Sequence, residues 1–150
     1  MSDQPMRAFA ANTPMPDMGE LPWTPLTKPL SECRVAIVTT AALHTAGDEG
    51  FTPDDPSFRI LPSDRRDLRL GHWSPNFDRS GFTADLDVVY PIDRLEELAA
   101  RGTIGSVAPR HYAFAGNQED TLTGIRLDHG PAVAKLLRDD EVDVVLLTPV

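Results

Sequence analysis

The apolar positions of this chain fall into short runs that alternate between two spacings. Arg34-Val35-Ala36-Ile37-Val38-Thr39-Thr40 is continuously apolar between its ends, the mark of a strand buried on both faces. Ser57-Phe58-Arg59-Ile60-Leu61 alternates with period two, and Leu68-Arg69-Leu70-Gly71 repeats the pattern on a smaller scale. The spacing then turns helical. Pro91 and Asp93 open a helix, Leu95, Leu98 and Ala99 form its apolar stripe, and Gly102 closes it. Ile104-Gly105-Ser106-Val107-Ala108 reads as a short strand leading into Pro109-Arg110-His111-Tyr112. A second helix over residues 127–140 carries Val133, Leu136 and Leu137 on one face, and Val142 to Leu147 forms a closing strand. Strand, helix, strand, helix, strand predicts an α/β domain with a largely parallel sheet and flanking helices, incomplete at the C-terminus.

The segments between these elements differ in kind. Residues 1–30 hold six of the fourteen prolines and show no periodicity, so they read as an extended or disordered arm ahead of a domain over 31–150. Residues 41–57 form a loop rich in Gly, Asp and Pro. Residues 71–90 read as a long ordered loop carrying His72 and Trp73, and loops of that length are usually functional or disordered. The last stretch, Asp143 to Val150, reads as a buried parallel strand running into a loop. Open α/β sheets bind ligands outside the carboxyl ends of their strands, so the chain is expected to stop beside its chemistry.

Composition narrows the classes. A net charge of −9 argues against nucleic acid and anionic membrane as partners. No apolar run approaches a membrane span and no signal layout opens the chain, so a cytoplasmic location is expected. The single cysteine, Cys33, excludes an internal disulfide framework and reads as a reduced structural thiol.

The candidate chemistry lies in histidines at strand ends. His44, His72 and His111 follow or flank strand-like segments, and an imidazole needs only a modest shift to serve as acid or base near neutral pH. Each reads alternatively as a loop cap or a backbone partner; together they could hold a metal, although no pair has the helical spacing of a zinc motif. His129, near a helix start, reads as a surface residue. Arg110 offers a planar fork suited to a carboxylate, with a structural ion pair as the alternative. Asp54-Asp55 and Asp139-Asp140-Glu141 read as solvated surface. The glycines form no phosphate-cradling pattern.

Several segments are particular in combination: Trp23-Thr24-Pro25-Leu26-Thr27-Lys28, Val35 to Ala41 with His44, and Phe58-Arg59-Ile60-Leu61-Pro62-Ser63-Asp64. Gly71-His72-Trp73, Tyr90-Pro91-Ile92-Asp93-Arg94-Leu95, Ile104 to Tyr112 and Val142 to Val150 complete the set. Over residues 22–150 the chain resembles the selenoprotein B family of the glycine, sarcosine, betaine and D-proline reductases. In that family the final strand runs into a selenocysteine, or a cysteine in its place. The resemblance therefore implies truncation at a UGA codon just after Val150. Coding DNA with a UGA and an in-frame continuation is the expected finding, and an ordinary stop without one would remove the expectation.

The implied activity is reductive cleavage of a C–N bond α to a carboxylate. A selenol is largely ionised at neutral pH, whereas a thiol has a reference pKa of about 8.5. On this resemblance His44, His72 and His111 are candidates for proton delivery to the leaving amine, and Arg110 for the substrate carboxylate or the selenolate. The implied partners are other reductase subunits in an oligomer and a small amino-acid-like substrate. No cofactor is expected in this chain; a pyruvoyl group would be supplied by a partner subunit. Two other readings stand beside this one: a non-catalytic binding or assembly subunit, and a metal hydrolase built on the three histidines.

Overall fold

The computed structural model describes residues 4–12, 24–73, 79–116, 118 and 121–150. In chain order its elements are α1 (Gln4–Asn12), β1 (Arg34–Thr39), β2 (Leu43–His44), β3 (Arg59–Pro62), β4 (Arg69–Leu70), α2 (Arg79–Ala84) and α3 (Ile92–Ala100). There follow β5 (Ser106–Val107), β6 (Arg110–Ala113), α4 (Gly130–Asp139) and β7 (Val144–Thr148). Helix α1 falls within the stretch read as an arm, the rest of which, through Trp23, lies outside the described residues.

The most apolar run of the sequence takes the centre. β1 pairs in parallel with β7 from Val35↔Val144 to Thr39↔Thr148, and along its other edge with β5 and then β6. β3 closes the far edge antiparallel to β6, from Arg59↔Ala113 to Pro62↔Arg110. The sheet is thus α/β and parallel around β1, with one antiparallel edge strand. A separate antiparallel pair, β2 with β4, stands beyond the end of β1.

Alternation along β1 divides the core into two layers. Val35 and Ile37 face a cluster with Leu61, Tyr90, Ile92 and Leu95, which brings α3 onto that side. Val38 faces the other way, packing with Tyr112, Phe114 and Val133 and so with α4. Helix α3 stops as its sequence requires: Gly102 has φ +71°, its N–H bonds Ala99 O at 3.0 Å, and Thr103 N–H bonds Leu98 O at 2.9 Å. Helix α4 ends on the same pair of bonds, from Glu141 to Arg138 O and from Val142 to Leu137 O. There the left-handed position is filled by Glu141, at φ 55°.

Three local features depart from the sequence reading. The predicted loop 71–90 contains α2 and a 3-10 turn at Leu86–Val88, both too short for a periodicity to show; residues 74–78 lie outside the described set. A π-helical turn at Ile125–His129 precedes α4, so the second helix is shorter at its start than its apolar stripe suggested. The strand predicted over 104–108 is β5 alone, and the segment it leads into is a second strand, β6. Arg34 pairs Ser106 but Val38 pairs Tyr112, so four steps along β1 answer six along its neighbour. The excess sits at Ala108-Pro109, where proline has no N–H to give a ladder.

Candidate functional site

The carboxyl end of β1 is tied to its neighbours by threonine hydroxyls. Thr39 Oγ1 donates to Thr148 O at 3.2 Å and accepts from Ala41 N–H at 3.2 Å. Thr40 binds the end of β7 in both directions: Val150 N–H donates to its Oγ1 at 2.8 Å, and the hydroxyl reaches Val150 O at 3.3 Å. Thr148 Oγ1 donates to Val89 O at 2.9 Å, anchoring β7 to the segment before α3. A side chain whose oxygen both gives and takes suits this position, where two parallel strands run out of ladder bonds.

His44 and His72 are brought to this end by β2 and β4. After β1 the chain turns through Ala42, at φ 54°, into β2, and Leu43 and His44 pair with Leu70 and Arg69. Gly71 N–H donates to Ala42 O at 2.9 Å, and His72 follows directly. Both histidines are buried and both pack on glycine. A Cβ at Gly71 would stand 3.3 Å from His44 Nδ1, and one at Gly50 would stand 3.7 Å from its Nε2. A Cβ at Gly116 would stand 2.9 Å from His72 Nε2, 2.7 Å from Val150 O and 3.0 Å from Thr40 O. Burial, joined by the positive charge of Arg79, holds the His72 imidazole below its ordinary value against the pull of a hydrogen bond to the Val150 backbone. His72 is therefore neutral at pH 7. Arg79 also donates to His72 O at 2.8 Å, and the Trp73 indole N–H donates to Phe51 O at 2.6 Å, leaving its ring half exposed beside the site.

The loop from His44 to β3 is organised by Arg59. Its guanidinium donates to Glu49 O at 2.8 Å, Gly50 O at 3.2 Å and Asp55 Oδ2 at 3.2 Å, and lies 4.4 Å over the Phe51 ring. Phe51 in turn meets the His44 ring edge-on at 6.3 Å.

His111 and Arg110 lie away from this convergence. His111 is fully buried in mid-sheet, where its Nδ1 accepts the Ile37 N–H at 2.9 Å. The imidazole thus takes the place of the backbone carbonyl lost to the Ala108-Pro109 excess. Because Nδ1 accepts, the proton sits on Nε2. Burial, with the charge of Arg66, holds the His111 pKa down to about 4, and its ring meets Tyr90 edge-on at 5.5 Å. Arg110 Nε and Nη2 grip the Asp140 carboxylate at 2.8 and 2.6 Å, at the far end of α4. Arg34 Nη1 donates to Asp140 O at 2.5 Å, and Lys28 pairs with Asp143 at 2.8 Å, so this cluster marks the amino ends of β1 and β7. A cleft of about 460 Å³ lined by Lys28, Glu32, Arg34 and Arg138 opens there, at the opposite end of the strands from His44 and His72. His129, read as surface, is half-buried with its ring against Phe58 at 6.2 Å.

The structure adds Thr40, Gly116 and Thr148 to the residues named from sequence. Their only sequence signals were a threonine pair after an apolar run and a glycine in a polar loop. Among the described residues no three His, Cys, Asp or Glu side chains converge as metal ligands, and no helix is long and apolar enough to cross a membrane.

Residues 71–150, which hold His72, Gly116 and β7, match the family described as glycine/sarcosine/betaine reductase selenoprotein B. The chain is 36 % identical over 129 residues to the D-proline reductase subunit gamma of Acetoanaerobium sticklandii, covering 84 % of this chain and 52 % of the relative. It is 28 % identical over 150 residues to the glycine reductase complex component B subunit gamma of Carboxydothermus hydrogenoformans, covering 93 % of this chain and 33 % of that one. The sarcosine reductase complex component B subunit beta of Peptoclostridium acidaminophilum is 28 % identical over 156 residues, with the same two coverages of 93 % and 33 %. The chain thus spans between a third and about half the length of these relatives. No solved structure matches. On the match over 71–150 and the identity to the D-proline reductase subunit, the chain belongs to the glycine/sarcosine/betaine reductase selenoprotein B family.

Proposed function

We propose that this chain is part of a reductase subunit that cleaves a C–N bond α to a carboxylate in an amino acid or its N-methyl derivative. The reaction is placed at the carboxyl ends of β1, β6 and β7. One observation supports that placement: two main-chain segments, at Thr40 and Val150, and the His72 imidazole converge on Gly116, at the face where α/β sheets keep their ligands. The relatives' printed names supply the substrate class, glycine, sarcosine or D-proline.

The chemistry asks for a selenol or thiol nucleophile and a group to manage its proton. A neutral imidazole accepts the proton of an attacking thiol; beside a selenol, already ionised at neutral pH, it takes its proton from solvent. As the new bond to carbon forms and the C–N bond breaks, the same imidazole passes that proton to the departing amine. His72, held neutral by burial, suits this role. His44 packs against Gly50, Gly71 and Phe51 in the adjoining β2–β4 pair. His111 and Arg110 serve the fold: one completes the ladder of β1, the other ties β6 to the end of α4. A pyruvoyl group on a partner subunit would hold the substrate amine.

The test is turnover by the full gene product assembled with its complex partners. Glycine, sarcosine, betaine and D-proline are offered with a dithiol reductant, and the C–N cleavage product is measured. Turnover of at least one is expected; an intact complex that turns over none contradicts the reading. A binding or assembly role is the second reading. It is favoured by the outer edge of β7, where Leu147 is 67 % exposed on a strand paired on one side only.

A further inference from the structure

We propose that Gly116 is a positioning residue, whose missing side chain leaves the space in which the His72 ring meets the main chain at the end of β7. This inference rests on the reading of that face as the active site and adds a residue to it. The space is one hydrogen wide: the three atoms nearest a Cβ are the Val150 and Thr40 carbonyl oxygens and the His72 Nε2, at 2.7, 3.0 and 2.9 Å. None is the far end of a flexible side chain. Two are backbone, held by the mutual bonds of Thr40 and Val150, and the third belongs to a rigid ring. Gly116 itself is not left-handed, so alanine is permitted there by its backbone and opposed only by crowding.

The other tightly enclosed glycines meet different neighbours. Gly105 is blocked by the Glu32 backbone, Gly124 by the Pro56 ring and Gly130 by its own helical turn. Gly116 alone among these is hemmed by an imidazole nitrogen. A methyl group there must push the ring out, push Val150 away from Thr40, or both. Either movement changes the environment of His72, which is set by burial, by the Val150 backbone and by Arg79. Among the described residues, the groups facing this ring include Arg79 from α2, the Val150 backbone after β7 and Gly116 after β6.

The experiment follows His72 by NMR in the full gene product labelled with 15N-histidine, with signals assigned through His→Gln variants. Gly116→Ala is expected to raise the His72 titration midpoint toward the ordinary imidazole value, since burial is the main cause of its depression. Gly124→Ala, equally crowded but against Pro56, is expected to leave it in place. In an active complex Gly116→Ala should also lose about 100-fold in kcat, the scale of a misplacement near 1 Å. A folded Gly116→Ala with an unmoved His72 midpoint overturns the proposal. Should Gly116→Ala not fold, Thr40→Val decides. It removes both bonds to Val150 at nearly constant shape, and an unmoved His72 midpoint there also overturns the proposal. A wild-type complex without turnover would refute the functional reading, while the titration would still judge the positioning role.

Discussion

Replacing His111 by asparagine removes a proton-binding group from the centre of the sheet while keeping the bond it makes. Asn Oδ1 stands where His111 Nδ1 now accepts the Ile37 N–H, so the ladder of β1 stays complete. The wild-type imidazole has a pKa of about 4 in the folded chain against an ordinary 6.5. The folded state therefore refuses a proton that the unfolded chain takes up. Stability from this group is fully present above pH 6.5, falls as the pH drops, and is exhausted near pH 4. The gap is worth about 3 kcal/mol, at roughly 1.4 kcal/mol per pH unit. His72, also depressed by burial, adds to the acid loss with the same sign, and the difference between wild type and variant cancels it. Urea unfolding between pH 7.5 and 4.5 measures the effect. His111→Asn should cost about 1–2 kcal/mol at pH 7.5 for the space left against Tyr90 and then overtake the wild type as the pH approaches 4.5. His111→Leu, which orphans the Ile37 N–H, should lose about 1–3 kcal/mol for the missing bond and share the flattened pH dependence. Wild-type and His111→Asn curves that stay parallel from pH 7.5 to 4.5 would refute the reasoning.

Two further outcomes follow from the amino-end cluster. Arg110→Lys breaks a two-bond grip on Asp140 that is partly open to solvent, so it should cost about 1 kcal/mol in unfolding free energy and leave the substrate KM unchanged. A raised KM at unchanged stability would return Arg110 to the substrate. Glu141→Gly should stabilise the chain by about 0.5–1 kcal/mol, because it relieves a left-handed residue that gains only a 3.5 Å, solvent-exposed contact to Arg34; a lower melting temperature would contradict that.

The parts of the fold legible in sequence are those whose burial is continuous or periodic. β1 showed as an apolar run because it is a parallel strand in the sheet interior, and β7 showed as one although it pairs on one side only and leaves Leu147 exposed. Helix α3 showed because Pro91, Asp93 and Gly102 punctuate it. The two-residue excess at Ala108-Pro109 did not show, since period marks the faces of a strand and not the register of its neighbour. For the same reason His111 read as one strand-end histidine among three, although its imidazole stands in for a backbone carbonyl. Arg110 and Asp140 are thirty residues apart, and nothing local pairs them. At the carboxyl end, the histidines after β1 and β4 were legible as residue types, while Gly116 matters only because β1, β6 and β7 run out together beside His72.

The most direct test of the account is the turnover of the reconstituted complex carrying His72→Gln, with the melting temperature as a control for folding. The account predicts a kcat lower by about 100-fold or more, the scale of a lost acid–base group, with KM little changed. A folded His72→Gln complex that turns over at the wild-type rate would contradict it.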